Sequence, residues 1–489
     1  MFVPDRLVEY VRDDHFRGLS ASNQRRIVTM LWAWSMPRYQ HKYNAVLASF
    51  HSSWLRGLWG NLETMRSVLG SHYFKVAVWS NVNHYTHGYK PYRFLAEALI
   101  DFLLDDRPCT MRDPRGRAQE RPRGPFRSRA VTELDTDGKP PKFLKHAVWT
   151  GYRCAEAVPV DTEALLRFCA KTSDLRHQIA ALWLRKLAML HQGAIPVSYQ
   201  QVSTGRVFDV HWYLQCTPRE VLSAALDGTW DCDLANAHYS IAYQWAQRLG
   251  LRACAIGEYL DHKREVRLTL SRDCRIAIDD IKECLIGILY GAILHTDPRY
   301  SSIADLVGRD AAKRFKDHPF VKGLADDVRR IRKPIVESLP KHSGRIGNAA
   351  GVYVQPSTIG KALCHALQGV EVQALQAVVK AHGSDTVLLM HDGWVSRVQL
   401  DLRALERTIE DATGFALKVD QSQHPKHRPK DEPSGASNPT SLKAFLMAQF
   451  SEPPKPTRGI HLAGSPQWAL PPSIIGQRMP KRKPSGGVL

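Results

Sequence analysis

The sequence predicts an α+β fold built on an antiparallel sheet, and two stretches carry this prediction. The stretch from Thr229 to Ile241 is typical of a strand that ends in polar residues and turns directly into a helix. The stretch from Asp385 to Val395 has an apolar strand, a polar pair with glycine and a return to apolar residues, which is typical of a β-hairpin. Helical periodicity from Asp161 to Gln192 predicts helices that pack rather than carry chemistry.

Composition narrows the class of protein and its partners. The chain has 489 residues, enough for roughly two to four domains, and a net charge of +19, which favours a polyanionic partner. Nucleic acid is the first candidate, and an acidic membrane surface is the alternative. The longest apolar run, Cys284 to Leu294, is shorter than the roughly 18–20 residues of a membrane span, so no membrane insertion is expected. Nine cysteines without a CxxC pair and an N-terminus unlike a secretion signal predict reduced thiols in a cytoplasm.

The chain before residue 203 divides by composition into three parts. Residues 1–105 are predicted to be mainly helical, and a helix near Trp54–Val68 followed by two short strands resembles a winged-helix module; a helical subdomain with an exposed hairpin fits equally well. Residues 106–145 are predicted to form a basic linker in which arginines alternate with Pro, Gly and Ser. Residues 146–202 return to helical periodicity. The arginines that carry this pattern are Arg112, Arg115, Arg117, Arg121, Arg123, Arg127 and Arg129.

Residues 421–489 are rich in Pro, Lys and Ser and are predicted to form a mostly disordered basic tail. One short amphipathic helix is expected from Leu442 to Phe450. The tail is a candidate for added nucleic-acid affinity and for docking a partner protein.

Two acidic stretches suggest a metal site. Asp231 and Asp233 are spaced i, i+2 on the predicted strand and so share a face, and Asp392 stands at the tip of the predicted hairpin. Carboxylates are the hard ligands that Mg²⁺ prefers, and two ions between such residues are the arrangement used for phosphoryl transfer. Asp231 is either an auxiliary ligand or the solvent-facing cap of its strand. A surface turn is the alternative for the whole stretch.

Four motifs in order resemble the polymerase superfamily that contains family A DNA polymerases and phage-type single-subunit RNA polymerases. The first is Thr204-Gly205-Arg206-Val207 with Leu214-Gln215 and Pro218, similar to T-G-R-L…L-Q-x-x-P. The Gly-Arg-Val-Phe core also resembles the G-R-V-Y of the RNA enzymes. The resemblance implies that Arg206 and Gln215 contact nucleic acid.

The second motif places Asp233 at the metal-binding aspartate of D-Y-S-Q-I-E, with the backbone carbonyl of Leu234 as a further ligand. His238 falls where the DNA enzymes carry the glutamate that screens the sugar 2′ position. This departure leaves the choice between deoxyribo- and ribonucleotides open.

The third motif, from Lys282 to Gly291, resembles the K-x-x-x-F-G-x-x-Y-G of the fingers helix. Lys282, Ile286 and Tyr290 are spaced i, i+4, i+8 and share one helix face. The resemblance implies that Lys282 holds the triphosphate and protonates the leaving pyrophosphate, while Ile286 and Tyr290 face the nucleotide.

This motif departs from the family at two positions. Ile278 replaces the arginine that the family has one turn before the lysine, and Arg275, on nearly the same face, is the substitute candidate for phosphate binding. The apolar Ile286 favours the RNA enzymes. An ordinary core stripe is the alternative for this helix.

The fourth motif is Gln368-Gly369, followed by a helix to Lys380 and then by His391-Asp392, and it resembles the Q-G-x-x helix and H-D-E of the last family A motif. The resemblance implies that Gln368 and His391 contact template or primer and that Asp392 holds the second metal position. Gly393 stands where the DNA enzymes have Glu and the RNA enzymes have Ser.

Together these motifs imply a right-hand polymerase fold across residues 203–420, with an antiparallel palm, helical fingers, and 146–202 as a thumb-like region. The implied activity is DNA-directed DNA synthesis with two Mg²⁺ ions, on a DNA template and primer with nucleoside triphosphates and without a proofreading exonuclease. A plasmid- or phage-type replicase in a bacterial cytoplasm, with a replication partner for the tail, fits this size. The alternatives are a single-subunit RNA polymerase or primase, and a non-catalytic initiation protein that binds DNA through residues 1–105.

Overall fold

The computed structural model describes residues 3–11, 13–37, 40–41, 44–50, 52–69, 72–78, 87–112, 148–209, 213–390, 392–424, 442–444 and 446–448. These residues lie within a compact unit that comprises residues 1–451. They combine α-helices with small antiparallel sheets, so the predicted α+β class is confirmed. The linker arginines from Arg115 onward, His391 and most of the tail fall outside the described residues.

The N-terminal part contains a small antiparallel sheet as well as helices. In chain order its elements are β1 (Val3–Pro4), the 3₁₀ helices Asp5–Tyr10 and Asp13–Phe16, α1 (Ala21–Ser35), β2 (Gln40–His41), β3 (Asn44–Phe50), α2 (Ser52–Trp59), α3 (Leu62–Leu69), β4 (Phe74–Val78), β5 (His87–Pro91), α4 (Arg93–Leu104) and β6 (Met111–Arg112). The sheet has the strand order β2-β3-β5-β4, and β1 pairs with β6.

Here the sequence prediction was right in part. The hairpin after Val68 is confirmed as β4 and β5. The helix predicted near Trp54–Val68 is two helices, broken at Gly60, whose φ is +79°. Strands β2 and β3 were not predicted, because Asn44–Phe50 is a short apolar run whose periodicity does not separate strand from helix.

The predicted helices between Asp161 and Gln192 are confirmed, and short strands flank them. The elements are β7 (Ala157–Pro159), α5 (Thr162–Lys171), α6 (Leu175–Leu190), β8 (Ala194–Pro196), β9 (Tyr199–Gln201), β10 (Val207–Asp209) and α7 (Arg219–Ala225). Asp161 and Asp174 cap α5 and α6 by accepting hydrogen bonds from N–H groups of the first turns. Helix α6 is buried nearly all round, even at Lys186, whose ammonium donates to the carbonyl of Asp105. It therefore joins the N-terminal part to the rest of the unit.

The second half of the chain is mostly helical around one four-stranded sheet. Its elements are β11 (Trp230–Leu234), α8 (Ala237–Arg248), α9 (Cys254–Asp261), α10 (Lys263–Cys274), α11 (Ile278–Leu289), α12 (Ser302–Val307), α13 (Arg309–Asp317), α14 (Pro319–Ser338), β12 (Lys341–His342), β13 (Arg345–Gly347), β14 (Tyr353–Val354), α15 (Ile359–His382), β15 (Thr386–Leu389), β16 (Gly393–Ser396), α16 (Leu402–Thr413) and β17 (Val419–Gln423). The sheet has the antiparallel order β15-β16-β11-β17. The strand and helix predicted from Thr229, and the hairpin predicted from Asp385, are confirmed as β11, α8, β15 and β16.

The short helical segment predicted in the tail packs on the molecule itself. Leu442, Leu446 and Met447 are buried, and the Lys443 ammonium lies 2.7 Å from a carboxylate oxygen of Asp101 on α4. Docking of this segment on a partner stays a prediction. Among the helices in the described residues, none is long and apolar enough to cross a membrane.

Candidate active site

Asp233 and Asp392 lie side by side at one corner of the β15-β16-β11-β17 sheet. β11 alternates buried Cys232 and Leu234 with exposed Asp233, as expected for a strand with one covered face. Asp233 is paired with Gly393 on β16, and the Leu234 N–H donates to the Asp392 carbonyl at 3.2 Å. The sheet register thus brings together two carboxylates that are distant in sequence.

Gly393 makes this close approach of the strands feasible. A Cβ atom at this position would lie 2.3 Å from the Cys232 carbonyl oxygen and 3.3 Å from Asp233 Oδ1. A Glu or Ser, which the resembled families have here, does not fit against β11 in this packing. The departure from the H-D-E pattern therefore has a steric reason.

Four carboxylates form what we call the acidic corner, namely Asp231, Asp233, Asp392 and Asp420. Asp420 on β17 is directly opposite Asp233, and directly opposed residues of an antiparallel pair project on the same face. Asp231 accepts a hydrogen bond from Arg219 at 3.2 Å, so its carboxylate already has a cationic partner. Lys282 is the cation that acts on Asp233.

The carboxyl group of Asp233 is held in an unfavourable electrostatic environment. Solvent reaches this side chain, but neighbouring protein atoms replace much of its water, and this desolvation together with the charge of Asp392 raises its pKa to about 7. Lys282 lowers the pKa of Asp233 by less than these two effects raise it. Excess negative charge of this kind favours a bound cation.

Helix α11 presents its predicted face beside the acidic corner. Lys282 is exposed, and Ile286 and Tyr290 are half-buried, whereas Cys284 and Ile288 on the opposite side are buried. Ile286 and Tyr290 are packed against the core, and Leu289 is fully buried, so the core-stripe alternative is confirmed in part. Solvent reaches this side of the helix most fully at Lys282.

Arg275 does not share this face, contrary to the sequence prediction. Helix α11 begins at Ile278, and Arg275 is instead the C-terminal cap of α10, with a left-handed φ of 56°. The turn between the two helices breaks the periodicity on which the prediction depended. Phosphate binding by Arg275 from the α11 face is therefore not supported.

His238 and Tyr290 belong to a set that we call the buried ion network, which also includes Arg206 and Glu371. Glu371 is only 1% exposed; it accepts hydrogen bonds from Arg206 Nε at 2.7 Å and Arg206 Nη2 at 2.6 Å. His238 Nε2 lies 2.8 Å from Glu371 Oε2, and His238 Nδ1 is hydrogen-bonded to the Tyr290 hydroxyl. Burial by itself raises the pKa of Glu371, but His238 and Arg206 outweigh burial and lower it.

Arg206 is fixed by the turn that carries the Thr-Gly-Arg motif. Gly205 has a φ of +96°, which favours glycine, and its carbonyl accepts a hydrogen bond from the Trp149 indole at 2.8 Å. The Asn348 amide donates to the carbonyl of Thr204 at 2.9 Å. Contact of Arg206 with nucleic acid stays a prediction, but two of its N–H groups are already committed to Glu371.

Gln215 has a structural role that the sequence did not indicate. Its side chain is buried, accepts from the Asp209 N–H at 2.7 Å and donates to the Leu389 carbonyl at 2.8 Å. The Tyr199 hydroxyl accepts from the Leu389 N–H at 2.8 Å. Gln215 and Tyr199 thus satisfy the backbone carbonyl and N–H of Leu389 at the outer edge of β15, the strand that leads to Asp392. In this arrangement the Gln215 side chain is not free to bind nucleic acid.

Gln368 lies on α15, half-buried and one turn before Glu371, so it faces the same side of the helix. Gly369, next to it, is packed so closely that a Cβ atom would lie 2.5 Å from Asn348. Contact of Gln368 with template or primer stays a prediction. The same holds for His391, which lies outside the described residues.

The acidic corner fits Mg²⁺ by its donor chemistry. Across the part of the chain that the structure describes, no three His, Cys, Asp or Glu side chains converge as a ready metal cage. Mg²⁺ is commonly held by one or two carboxylates, with water and substrate phosphates completing its shell. Asp233 and Asp392, with the Leu234 carbonyl predicted from the resemblance, supply such a set.

A basic groove of about 580 Å³ lies beyond the end of α11. Its floor contains Ile288 and Val328, and its rim carries the cations Lys316, Lys322, Arg329 and Arg332 against a single carboxylate, Asp326. The Arg329 guanidinium is paired with Asp326 at 2.6 Å. The surplus of positive charge on an apolar floor suits a nucleic-acid strand.

Two residues of this site were missed from the sequence. Glu371 follows Gln368-Gly369 by two residues, and its place as the single acidic residue of the apolar helix α15 was the available signal. Asp420 follows an apolar residue in the closing strand, but only strand pairing identifies its neighbour. No protein-family model and no curated protein matches this chain.

Proposed function

We propose that this chain is a template-directed nucleotidyltransferase, in the first instance a DNA-directed DNA polymerase of plasmid or phage type without a proofreading exonuclease. One observation carries the proposal: Asp233 on β11 and Asp392, directly before β16, lie together beside Lys282 of α11. In the proposal, β11, β15, β16 and β17 are a polymerase palm, and α9 to α14 are the fingers.

Asp233 and Asp392 would hold two Mg²⁺ ions, which when bound activate the attacking hydroxyl and neutralise charge on the phosphates. Lys282 binds the triphosphate and supplies a proton to the departing pyrophosphate. Ile286 and Tyr290 support the sugar and base of the incoming nucleotide. Catalysis by these residues is mainly positioning and charge stabilisation.

Nucleic acid would be guided by the basic groove beyond the end of α11. The net charge of +19 and the basic groove favour a polyanion, whose binding is driven by phosphate contacts. Gln368 and His391 are the residues assigned to template or primer.

The test measures nucleotide incorporation by the purified full-length chain with Mg²⁺ on primed and unprimed single-stranded DNA. Deoxyribo- and ribonucleoside triphosphates (dNTPs and rNTPs) are offered separately. Primer extension with dNTPs supports the proposal. Product from rNTPs favours the RNA polymerase or primase, for which His238 and Ile286 are the signs. DNA binding without product under any of these conditions overturns catalysis and favours the initiation protein.

A further inference from the structure

We propose that Glu371 is a positioning residue that fixes the His238 imidazole and, through it, the Tyr290 hydroxyl at the nucleotide sugar. The inference rests on the proposed function for its substrate, but its geometry is independent of it. Glu371 is buried on α15, His238 on α8 and Tyr290 at the end of α11. One carboxylate thus joins three helices that line the site.

The hydrogen-bond partners fix a proton on one nitrogen of the imidazole ring. A carboxylate is only an acceptor, so His238 Nε2, at 2.8 Å from Glu371 Oε2, carries a proton. His238 Nδ1 is hydrogen-bonded to the Tyr290 hydroxyl. In our proposal the ring is the neutral Nε2–H form, so Nδ1 accepts from that hydroxyl. In this form the Tyr290 proton is directed inward, and the side of its oxygen toward the cleft presents lone pairs.

Arg206 balances the charge of Glu371 and so keeps the carboxylate ionised. Its Nε and Nη2 bind both carboxylate oxygens, whereas its Nη2 is 3.5 Å from His238 Nε2. His238 is therefore oriented by Glu371 rather than by Arg206. Hydrogen bonds from His238 and Arg206, with the charge of Arg206, lower the pKa of Glu371 despite burial, which supports an acceptor-only carboxylate.

The contacts from Glu371 through His238 to Tyr290 affect substrate choice because Tyr290 is proposed to lie at the nucleotide sugar. Tyr290 is on the accessible face with Lys282 and Ile286, and His238 stands where the resembled DNA enzymes screen the 2′ position. A hydroxyl with a fixed acceptor direction distinguishes sugars by their own hydroxyl groups. Loss of Glu371 frees the imidazole ring and then the hydroxyl, and so changes sugar choice.

The experiment compares Glu371→Gln, Tyr290→Phe, the double variant and a matched control, Asp327→Asn, in the full-length chain. Asp327 is also a buried carboxylate, but it caps α9 through the Ala255 N–H at 2.7 Å. For each variant we would measure kcat and KM with ribo- and deoxyribonucleoside triphosphates, together with the imidazole ¹⁵N shifts of His238.

We expect Glu371→Gln to change the ribo-to-deoxyribo ratio of kcat/KM by about tenfold or more, as expected for loss of a specific polar contact. Tyr290→Phe should change this ratio by a similar factor, and the double variant should change it little further than either single variant. Asp327→Asn should leave the ratio unchanged. The wild-type ring should be the Nε2–H tautomer, with mixed tautomers in Glu371→Gln.

Equal loss with both sugars, additive effects in the double variant, or an unchanged His238 spectrum would overturn the proposal. If the wild-type chain incorporates no nucleotide, the proposed function fails. The ¹⁵N measurement then still decides whether Glu371 orients His238, so the two failures are distinguishable.

Discussion

The acidic corner and the buried ion network lie at the same site but treat negative charge in opposite ways. In the network, Glu371 has a bidentate Arg206 and His238 as partners, and its pKa is lowered. In the corner, Asp233 faces Asp392, and its pKa is raised to about 7. The deeper carboxylate is thus the more stable anion, because its partners compensate for lost water.

This difference separates structural charge from charge available to a ligand. A buried and fully paired carboxylate contributes to the folded arrangement, and breaking the pair leaves an uncompensated charge. An accessible carboxylate beside like charges gains electrostatic stabilisation only when a cation binds to it from solution.

Asp233→Asn and Asp392→Asn should each reduce incorporation by about 1,000-fold or more, because each removes a charged ligand from the reacting centre. Primer extension under single-turnover conditions measures the effect. Asp411→Asn, at an exposed aspartate of α16, is the control and should retain wild-type activity. Wild-type rates in either corner variant would remove that residue from the metal site.

Glu371→Ala should lower the free energy of unfolding by about 3–5 kcal/mol, the usual cost of leaving a buried charge, here Arg206, without its partner. Asp233→Asn should leave that free energy unchanged or raise it, because it removes repulsion from Asp392. Urea denaturation of both variants without Mg²⁺ measures the contrast. Equal destabilisation by the two substitutions would abolish the distinction between corner and network.

Mg²⁺ alone should stabilise the wild-type chain by about 1.4 kcal/mol at ten times its dissociation constant, and Asp233→Asn should lose this gain. Folding raises the pKa of Asp233 from 3.8 to about 7, so without metal its ionisation opposes folding and stability falls as pH rises across that interval. Ionised carboxylate is the form that binds metal, so the Mg²⁺ effect should be larger at pH 8 than at pH 5. Thermal unfolding with and without Mg²⁺ at both values measures it; a pH-independent Mg²⁺ effect contradicts the assignment.

Lys322→Glu and Arg332→Glu, in the basic groove, should weaken binding of single-stranded DNA modestly and reduce the slope of log affinity against log salt by about 1 each. Fluorescence anisotropy across a salt series measures both quantities. Lys333→Glu on the same helix is a control, because Lys333 is exposed but does not line the groove. An equal effect of Lys333→Glu would indicate general charge attraction rather than a groove.

Local periodicity determined much of this protein from the sequence alone. The alternation at Asp231 and Asp233 predicted β11, the polar break before Gly393 predicted the β15–β16 hairpin, and the i, i+4 spacing from Lys282 predicted the accessible face of α11. These features depend on residues that are near in sequence. Their secondary structure therefore follows from pattern.

Tertiary structure decided which of these elements meet. The pairing of Asp233 with both Gly393 and Asp420, the contact of Arg206 with Glu371 across 165 positions, and the burial of Gln215 depend on strand register and helix packing. A motif supplies residue types and spacing, but the dielectric environment and the partners of a side chain come from distant segments. For this reason the sequence identified the carboxylates, whereas only the fold distinguished a neutralised Glu371 from an unneutralised Asp233.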